Sequence, residues 1–221
     1  MTNLVFDYDG TLNDSIIIYA PAFRKAHEYL MNKRLIPKRE YSDDEISGWL
    51  GFTAKDMWCN FAPHLDDEEK ANCSRIIADE MLRLTLEGKA SLYPHTEKAL
   101  FALKEKGFQL LLLSNCTTSY MEANRKVFAL DRFFSAFYSA EAFDYIPKSE
   151  IFEHIRKCWN GSFLIVGDRY HDMEIAQRYK LPSIGCLYGY GAREELHCAS
   201  CKIDSIEEIT EAIEKLFPVD K

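Results

Sequence analysis

The sequence predicts an α/β protein, in which a doubly wound parallel sheet carries a small inserted helical domain. Five short apolar runs recur along the 221 residues, and each is apolar at odd and even positions alike, as strands buried on both faces require. Helix-like stretches separate most of these runs, and such alternation favours a parallel sheet covered on both sides. The first run, however, is followed by a long stretch that shows only helical patterns.

The alternation assigns most of the chain to a core. Strands are predicted at 4–6, 109–113, 136–139, 163–166 and 183–187, and helices at 95–106, 117–130, 149–158, 171–180 and 205–217. The last helix opens with Ser205 and Glu208, which have the spacing of a capping box. We expect residues 1–14 and 88–221 to form this core and residues 15–87 to form the helical insert, where 66–69 is an acidic first helical turn.

Composition excludes several classes of protein. The 27 basic residues against 35 acidic ones give a net charge of −8, which disfavours non-specific binding to nucleic acid. Apolar runs stay well short of the roughly 20 residues that a membrane-spanning helix needs. The N-terminus lacks the pattern of a signal peptide, and the seven cysteines are scattered. We therefore expect a cytoplasmic protein with reduced thiols, including the lone Cys198–Cys201 pair in a loop.

The segment Asp7-Tyr8-Asp9-Gly10-Thr11-Leu12 directly follows the first predicted strand and carries the strongest chemical signal. Side chains two positions apart on a strand point the same way, so both carboxylates reach one site while Gly10 permits a tight turn. One carboxylate can attack phosphorus and the other can carry a proton. The alternative is an ordinary solvated turn after a strand.

This segment resembles the first motif of the haloacid dehalogenase superfamily, whose members use an aspartate nucleophile. Later stretches are similar to the remaining motifs in order: Ser114-Asn115, Lys148 within 147–152, and Gly167 to Asp172 with the pattern GDxxxD. Residues 186–196 look like the closing stretch of the phosphoglycolate phosphatase-like branch, and the insert has the position of its helical type-1 cap.

The resemblance implies a Mg²⁺-dependent phosphatase acting on a small phosphorylated metabolite such as phosphoglycolate or a sugar phosphate. Asp7 would be the nucleophile, Asp9 the general acid and base, and Lys148 the cation that neutralises the phosphoryl group. The expected metal-binding residues are Asp7, Asp9, Asp168 and Asp172, with Asp172 in direct contact with the metal or just behind its ligands. Phosphate binding is expected from Gly10, Thr11, Ser114 and Asn115, the last through an N–H at a helix N-terminus.

Some positions depart from the family pattern. Ser149 stands where proline often follows the lysine, and Arg169 replaces a small hydroxyl residue; we expect Arg169 to form a structural ion pair, with Asp172 as the candidate partner. In the insert, Trp49 and Phe52 are expected in the core and Lys55 in solvent. Ala54 stands where related sugar-phosphate mutases tend to carry an arginine.

Two alternatives remain open at this point: a β-phosphoglucomutase-like phosphotransferase with the same core, and a non-enzymatic binding module on the same fold. The chain is expected to be a monomer or a homodimer.

Overall fold

The computed structural model describes residues 1–217, and within them six strands form one sheet. The strands are β1 (Thr2–Phe6), β2 (Gln109–Ser114), β3 (Ala136–Ser139), β4 (Ser162–Gly167), β5 (Ser183–Cys186) and β6 (Cys201–Ile203). All neighbouring pairs are parallel, and the spatial order is β3-β2-β1-β4-β5-β6. The chain thus builds outward from β1 on one side and then on the other, which confirms the doubly wound α/β fold.

The sixth strand was not predicted, and it corrects the expectation of a loop around Cys201. Cys201 pairs with Ile184 of β5, and Ile203 pairs with Cys186. The strand has three residues with an exposed lysine at its centre, so it lacks an apolar run. All seven cysteines are free thiols.

The helices of the core lie close to their predicted positions. They are α5 (Thr96–Glu105), α6 (Thr118–Val127), α7 (Lys148–Cys158), α8 (Tyr170–Tyr179) and α9 (Ile209–Leu216). The last one begins later than predicted, because a 3₁₀ turn at Ile206–Glu208 precedes it. Ser205 accepts from the N–H of Glu207 there, so the predicted capping box with Glu208 is wrong.

Alternate residues of the sheet pack against different helices. Leu4, Phe6 and Val166 belong to an apolar cluster that includes residues of α5, α6 and α9. Val5 and Ile165 belong to a second cluster on the opposite face, under α7 and α8. Apolar residues at both parities of a strand therefore mark burial on both faces, as the sequence pattern indicated.

Four helices follow β1 in place of further strands: α1 (Ile16–Asn32), α2 (Asp43–Ser47), α3 (Ala54–Phe61) and α4 (Asp67–Leu86). Side chains that accept the first free N–H groups fix three of their starts: Ser42, Thr53 and Asp66. The four helices share an apolar cluster of their own around Phe23 and Trp58. They coincide with the predicted insert at 15–87, and we propose that they form the predicted cap.

The two connections between these helices and the sheet lie side by side. The N–H of Asp14 donates to the carbonyl of Ser91 (2.9 Å), and the N–H of Tyr93 donates to the carbonyl of Leu12 (2.9 Å). Across residues 1–217, no helix is both long enough and apolar enough to cross a membrane.

Candidate active site

The turn after β1 brings the first aspartate to the carboxyl edge of the sheet. The N–H of Asp7 still donates to Val166 of the neighbouring β4 (2.8 Å), so the aspartate is held in register with the sheet. Gly10 then adopts φ +82°, and a Cβ there would lie 2.3 Å from Asp168 Oδ2. Only glycine fits this turn, because the backbone has a positive φ and because Asp168 lies too close for a Cβ.

Three buried carboxylates meet at this edge. Asp7 follows β1, Asp168 follows β4, and Asp172 lies in the first turn of α8. One oxygen of each lies within 4.8 Å of the others, and each side chain is almost fully buried. The strand order reverses between β1 and β4, which is where ligands bind in open α/β sheets.

Lys148 joins two of these carboxylates. Its Nζ lies 2.7 Å from Asp7 Oδ1 and 2.8 Å from Asp172 Oδ1, and its side chain is only 2% exposed. Burial opposes its charge, yet Asp172 and Asp7 together raise the pKa of Lys148 above its ordinary value. Lys148 is therefore a fixed cation at the first residue of α7.

The cluster carries more negative than positive charge. Burial, and then the charge of Asp172, raises the pKa of Asp7 well above its usual range and that of Asp168 to about 7. One lysine faces three carboxylates, so a divalent cation among them would balance the remaining charge. Carboxylate oxygens are the donors that hard divalent cations prefer, and the residues present fit such an ion.

Asp168 has a close-fitting surround. Its Oδ1 accepts from the Thr11 hydroxyl (3.2 Å) and its Oδ2 accepts from the N–H of Tyr190 (2.8 Å). A Cβ on Gly189 would lie 2.3 Å from Asp168 Cβ, and one on Gly191 would lie 1.9 Å from the Asp168 carbonyl oxygen. The loop after β5 therefore packs its backbone directly on this carboxylate.

Asp9 is half-buried and lines the same cavity as Asp7. Its Oδ1 accepts from Asn13 Nδ2 (3.1 Å) and from the Tyr120 hydroxyl (2.9 Å). Burial raises the pKa of Asp9, although hydrogen bonds from Asn13 and Tyr120 lower it in part. A raised pKa suits a carboxyl group that must give up a proton and take one back near neutral pH.

Four residues were expected to bind phosphate, and the structure places them differently. Ser114 ends β2, is buried, and lines the cavity with Asp7 and Lys148. The N–H groups of Gly10 and Thr11 instead donate to Asn13 and Tyr8 within the turn. Their role in phosphate binding stays a prediction without support from this geometry.

Asn115 lies further from a helix start than expected. Helix α6 begins at Thr118 and Thr117 caps it, so the N–H of Asn115 is not at that N-terminus. The Asn115 side chain donates instead to the carbonyl of Gly51, which lies between α2 and α3 (3.2 Å).

Arg169 corrects another expectation. Its Nε lies 3.0 Å from Glu195 Oε2, so its ion-pair partner is Glu195. Asp172 contacts only the backbone of Arg169, whose N–H donates to Asp172 Oδ2 (3.2 Å). The guanidinium of Arg169 also donates to the carbonyl of Leu50 and lies 4.4 Å from the ring centroid of Phe52.

The helices α1–α4 and the segments that connect them, residues 16–86, are called the helical unit below. A cavity of about 180 Å³ lies between this unit and the carboxyl edge of the sheet, and both contribute to its wall. The turn after β1 contributes the carboxylates of Asp7 and Asp9, and the start of α7 contributes the ammonium group of Lys148. Trp49 lines the cavity and stacks on Phe23 in the apolar cluster of the helices (4.8 Å between ring centroids). Trp49 therefore fits both the predicted place in the core and a place in the cavity wall.

Comparison with known proteins gives this geometry a context. The family model described as haloacid dehalogenase-like hydrolase matches residues 4–186. The chain belongs to the haloacid dehalogenase-like hydrolase family. The predicted resemblance is confirmed, and so is the prediction that the protein is an enzyme.

Curated relatives and solved structures agree with this assignment. Phosphoglycolate phosphatase of Colwellia psychrerythraea is 25% identical over 216 residues, covering 88% of each chain. The enzyme of that name from Escherichia coli K12 is 24% identical over 217 residues, covering 87% of this chain and 84% of its own. A structure described as a predicted phosphatase from Clostridium acetobutylicum superimposes with a TM-score of 0.84 at 23% identity, covering 97% of this chain and 98% of its own.

Sequence reasoning missed several residues that shape this haloacid dehalogenase-like site. Tyr120 and Asn13 hold Asp9, and Glu195 holds Arg169. Glu195 accepts from the N–H of Ala192 three residues earlier, which is a capping arrangement that the spacing alone did not reveal. Asn13 is only four residues from Asp9, whereas the contacts of Tyr120 with Asp9 and of Glu195 with Arg169 join residues far apart in the chain, for which a single sequence gives no signal.

Proposed function

We propose that the protein is a Mg²⁺-dependent phosphatase that hydrolyses a small phosphomonoester through an aspartyl-phosphate on Asp7. The observation that carries the proposal is the placement of Lys148 between Asp7 and Asp172, beside Asp168, at the floor of a cavity. Transfer of a phosphoryl group depends mainly on positioning and on charge stabilisation. This cluster provides both a nucleophile and a fixed cation.

In the first step, an oxygen of Asp7 forms a bond to phosphorus while the bond from phosphorus to the substrate's alcohol oxygen breaks. Asp9 donates a proton to that oxygen, and the alcohol leaves. In the second step, Asp9 takes a proton from water as the water oxygen bonds to phosphorus and the bond to Asp7 breaks. Phosphate leaves, and both carboxyl groups return to their starting states.

The metal would be held by Asp7, Asp168 and the Asp9 backbone carbonyl. When bound, Mg²⁺ supplies positive charge to the phosphoryl oxygens. Asp172 was expected to bind metal or to stand just behind it, and its contacts with Lys148 Nζ and the Arg169 N–H favour the second role. It orients the lysine that faces Asp7.

Ser114 and the helical unit complete the proposal. The hydroxyl of Ser114 lies in the wall beside Asp7 and would donate to a phosphoryl oxygen. Helices α1–α4 and their connections contribute to the cavity wall, and as a cap they would keep bulk water away until the alcohol has left.

The expected substrates were phosphoglycolate and sugar phosphates, and the name of the curated relatives makes phosphoglycolate the first compound to assay. The alternative of a β-phosphoglucomutase-like phosphotransferase has less support. Ala54 lines the cavity at the position where related mutases tend to carry an arginine. The alternative of a pure binding module has less support, because the chain belongs to a family of hydrolases and because Asp7, Asp9 and Lys148 line one cavity.

Trapping the intermediate tests the proposal. Protein with Mg²⁺ and a chromogenic aryl phosphate is quenched in acid, and the phosphorylated residue is located by mass spectrometry after borohydride reduction. We expect the mass change from borohydride reduction of the acyl phosphate to lie on Asp7 in the wild type. In Asp7→Asn we expect neither this mass change nor phosphate release. Asp131→Asn, an exposed aspartate paired with Arg125, is the matched control. Equal phosphate release from the wild type and Asp7→Asn would contradict the proposal.

A further inference from the structure

The cavity wall that the helical unit contributes carries no charge among residues 1–217. Its larger members are apolar or aromatic: Tyr19, Trp49, Phe52, Met57, Ile77 and Met81. The remaining members are Leu50, Gly51, Ala54 and Ala78, which have no polar side-chain group, and Ser74, whose hydroxyl is occupied. Ser74 accepts from Trp58 Nε1 (2.7 Å) and donates to the carbonyl of Lys70 (2.8 Å).

The one cation in the described part of this wall is already engaged. Lys148 lies between Asp7 and Asp172 at hydrogen-bond distance from both, so it belongs to the reacting centre. A second negative group on the substrate, in the part that contacts the helices, would meet apolar side chains and no basic one. Moving an anion out of water without a partner is strongly unfavourable.

The size of the cavity bears on the substrate as well. About 180 Å³ is available beside Asp7 and Lys148 for the phosphoryl group and the nearest part of the alcohol. For comparison, a dry apolar cavity of about 150 Å³ accommodates benzene. A phosphoryl group with a small alcohol part, up to about the size of a phenyl ring, therefore suits this cavity.

We infer that the substrate is a phosphomonoester whose alcohol part is small, uncharged and apolar, rather than one with a carboxylate or a second phosphate. This inference rests on the proposed phosphatase activity and specifies its substrate class. The helical wall would bind such a group by burying apolar surface, while the phosphoryl group lies against Lys148 and Ser114.

The neighbouring cavity does not change this conclusion. Lys55 lines it and is exposed. Lys148 lines both cavities, and two carboxylates of the second one, Asp56 and Glu174, balance the charges of Lys55 and Lys148. The second cavity therefore offers no surplus of positive charge to an anionic substrate.

Matched substrates test the inference on the wild-type protein with Mg²⁺. Ethyl phosphate is compared with phosphoglycolate, and phenyl phosphate with 4-carboxyphenyl phosphate, because each pair differs by a carboxylate in the alcohol part. We expect kcat/KM for the uncharged member to be higher by about tenfold or more, which corresponds to one lost charge interaction of modest strength. Equal or better turnover of the carboxylates would overturn the inference and leave the phosphatase proposal intact. No phosphate release from any of the four compounds, as with Asp7→Asn, would overturn both.

A charge introduced into the wall gives a second test. Ala78 lies on α4, is half-buried and lines the cavity, so Ala78→Lys places an ammonium group there, and Ala78→Met is a neutral side chain of similar length. We expect Ala78→Lys to raise the preference for 4-carboxyphenyl phosphate over phenyl phosphate by about tenfold relative to Ala78→Met. The same preference in both variants would contradict the idea that a missing cation selects the substrate. Thermal unfolding of the two variants checks that both are folded.

Discussion

Arg169 donates from its guanidinium to the main-chain carbonyl of Leu50, and this bond joins the edge of the sheet to the helical unit. Glu195 fixes the guanidinium from the other side, and Phe52 lies beneath it. Asn115 adds a second bond of the same kind to the carbonyl of Gly51. The loop at residues 50–52, which forms part of the cavity wall, is thus held by two residues that follow sheet strands.

Replacing Arg169 by lysine tests the importance of this contact. An ammonium group cannot reproduce the planar fork that serves Glu195, Leu50 and Phe52 together. We expect kcat/KM to fall by about tenfold or more, because small displacements of positioning groups reduce rates strongly. Amide hydrogen exchange across 48–54 should become faster. Arg193→Lys, in an exposed pair with Asp204, is the control, and unchanged exchange in Arg169→Lys would contradict the assignment.

Lys148→Met removes the cation between Asp7 and Asp172. We expect kcat to fall by about 10²–10³-fold, the range found when one group that stabilises transition-state charge is lost. Steady-state kinetics at saturating Mg²⁺ measure the change. Lys157→Met changes an exposed lysine at the other end of the same helix and should leave kcat unaltered. Near-wild-type kcat in Lys148→Met would mean that the phosphoryl group is neutralised by something else.

Metal binding should be visible without any substrate. A ligand that binds only the folded state stabilises it by about 2.7 kcal/mol at a concentration one hundred times its Kd. We expect Mg²⁺ to raise the unfolding temperature of the wild type, EDTA to reverse the rise, and Asp168→Asn to abolish it. Asp131→Asn should respond as the wild type does. If Mg²⁺ raised the unfolding temperature of Asp168→Asn as much as that of the wild type, Asp168 would not be a metal ligand.

His27 predicts a pH dependence that belongs to the helical unit. It is 5% exposed and packs against Phe23 and Tyr41, and burial lowers its pKa. The unfolded chain then binds the proton more tightly than the folded one, so stability is present above the ordinary histidine pKa of about 6.5 and is lost as pH falls below it. His27→Phe should lose less stability than the wild type between about pH 7.5 and 5.5. Thermal unfolding at both pH values measures this difference, and parallel losses would refute it.

Much of the fold could be predicted because buried parallel strands leave a strong local signature. Leu110 to Leu113 are apolar without interruption, and the strand they form is buried on both faces. The strand at Cys201–Ile203 left no such signature, since its middle residue is an exposed lysine at the sheet edge. Its pairing with β5 depends on tertiary contacts, which the local amino-acid composition does not reveal.

Some features of the candidate site could likewise be predicted from the sequence, and others could not. Asp7 and Asp168 could be placed together because each follows a strand, and the carboxyl ends of parallel strands share an edge. The partner of Arg169 could not be predicted, because Glu195 reaches it from a 3₁₀ turn 26 residues later. The composition of the cavity wall was equally hidden, since it depends on which faces of the helices α1–α4 line the cavity.

The glycines packed on Asp168 have a consequence for directed evolution. Side chains at 189 and 191 would occupy the space of that carboxylate and its backbone. A saturation library selected for turnover should therefore retain glycine at both positions as stringently as it retains the acidic residues, although neither glycine has a functional group to offer. Searches for new activities would do better to leave this loop fixed and diversify the helices that face it.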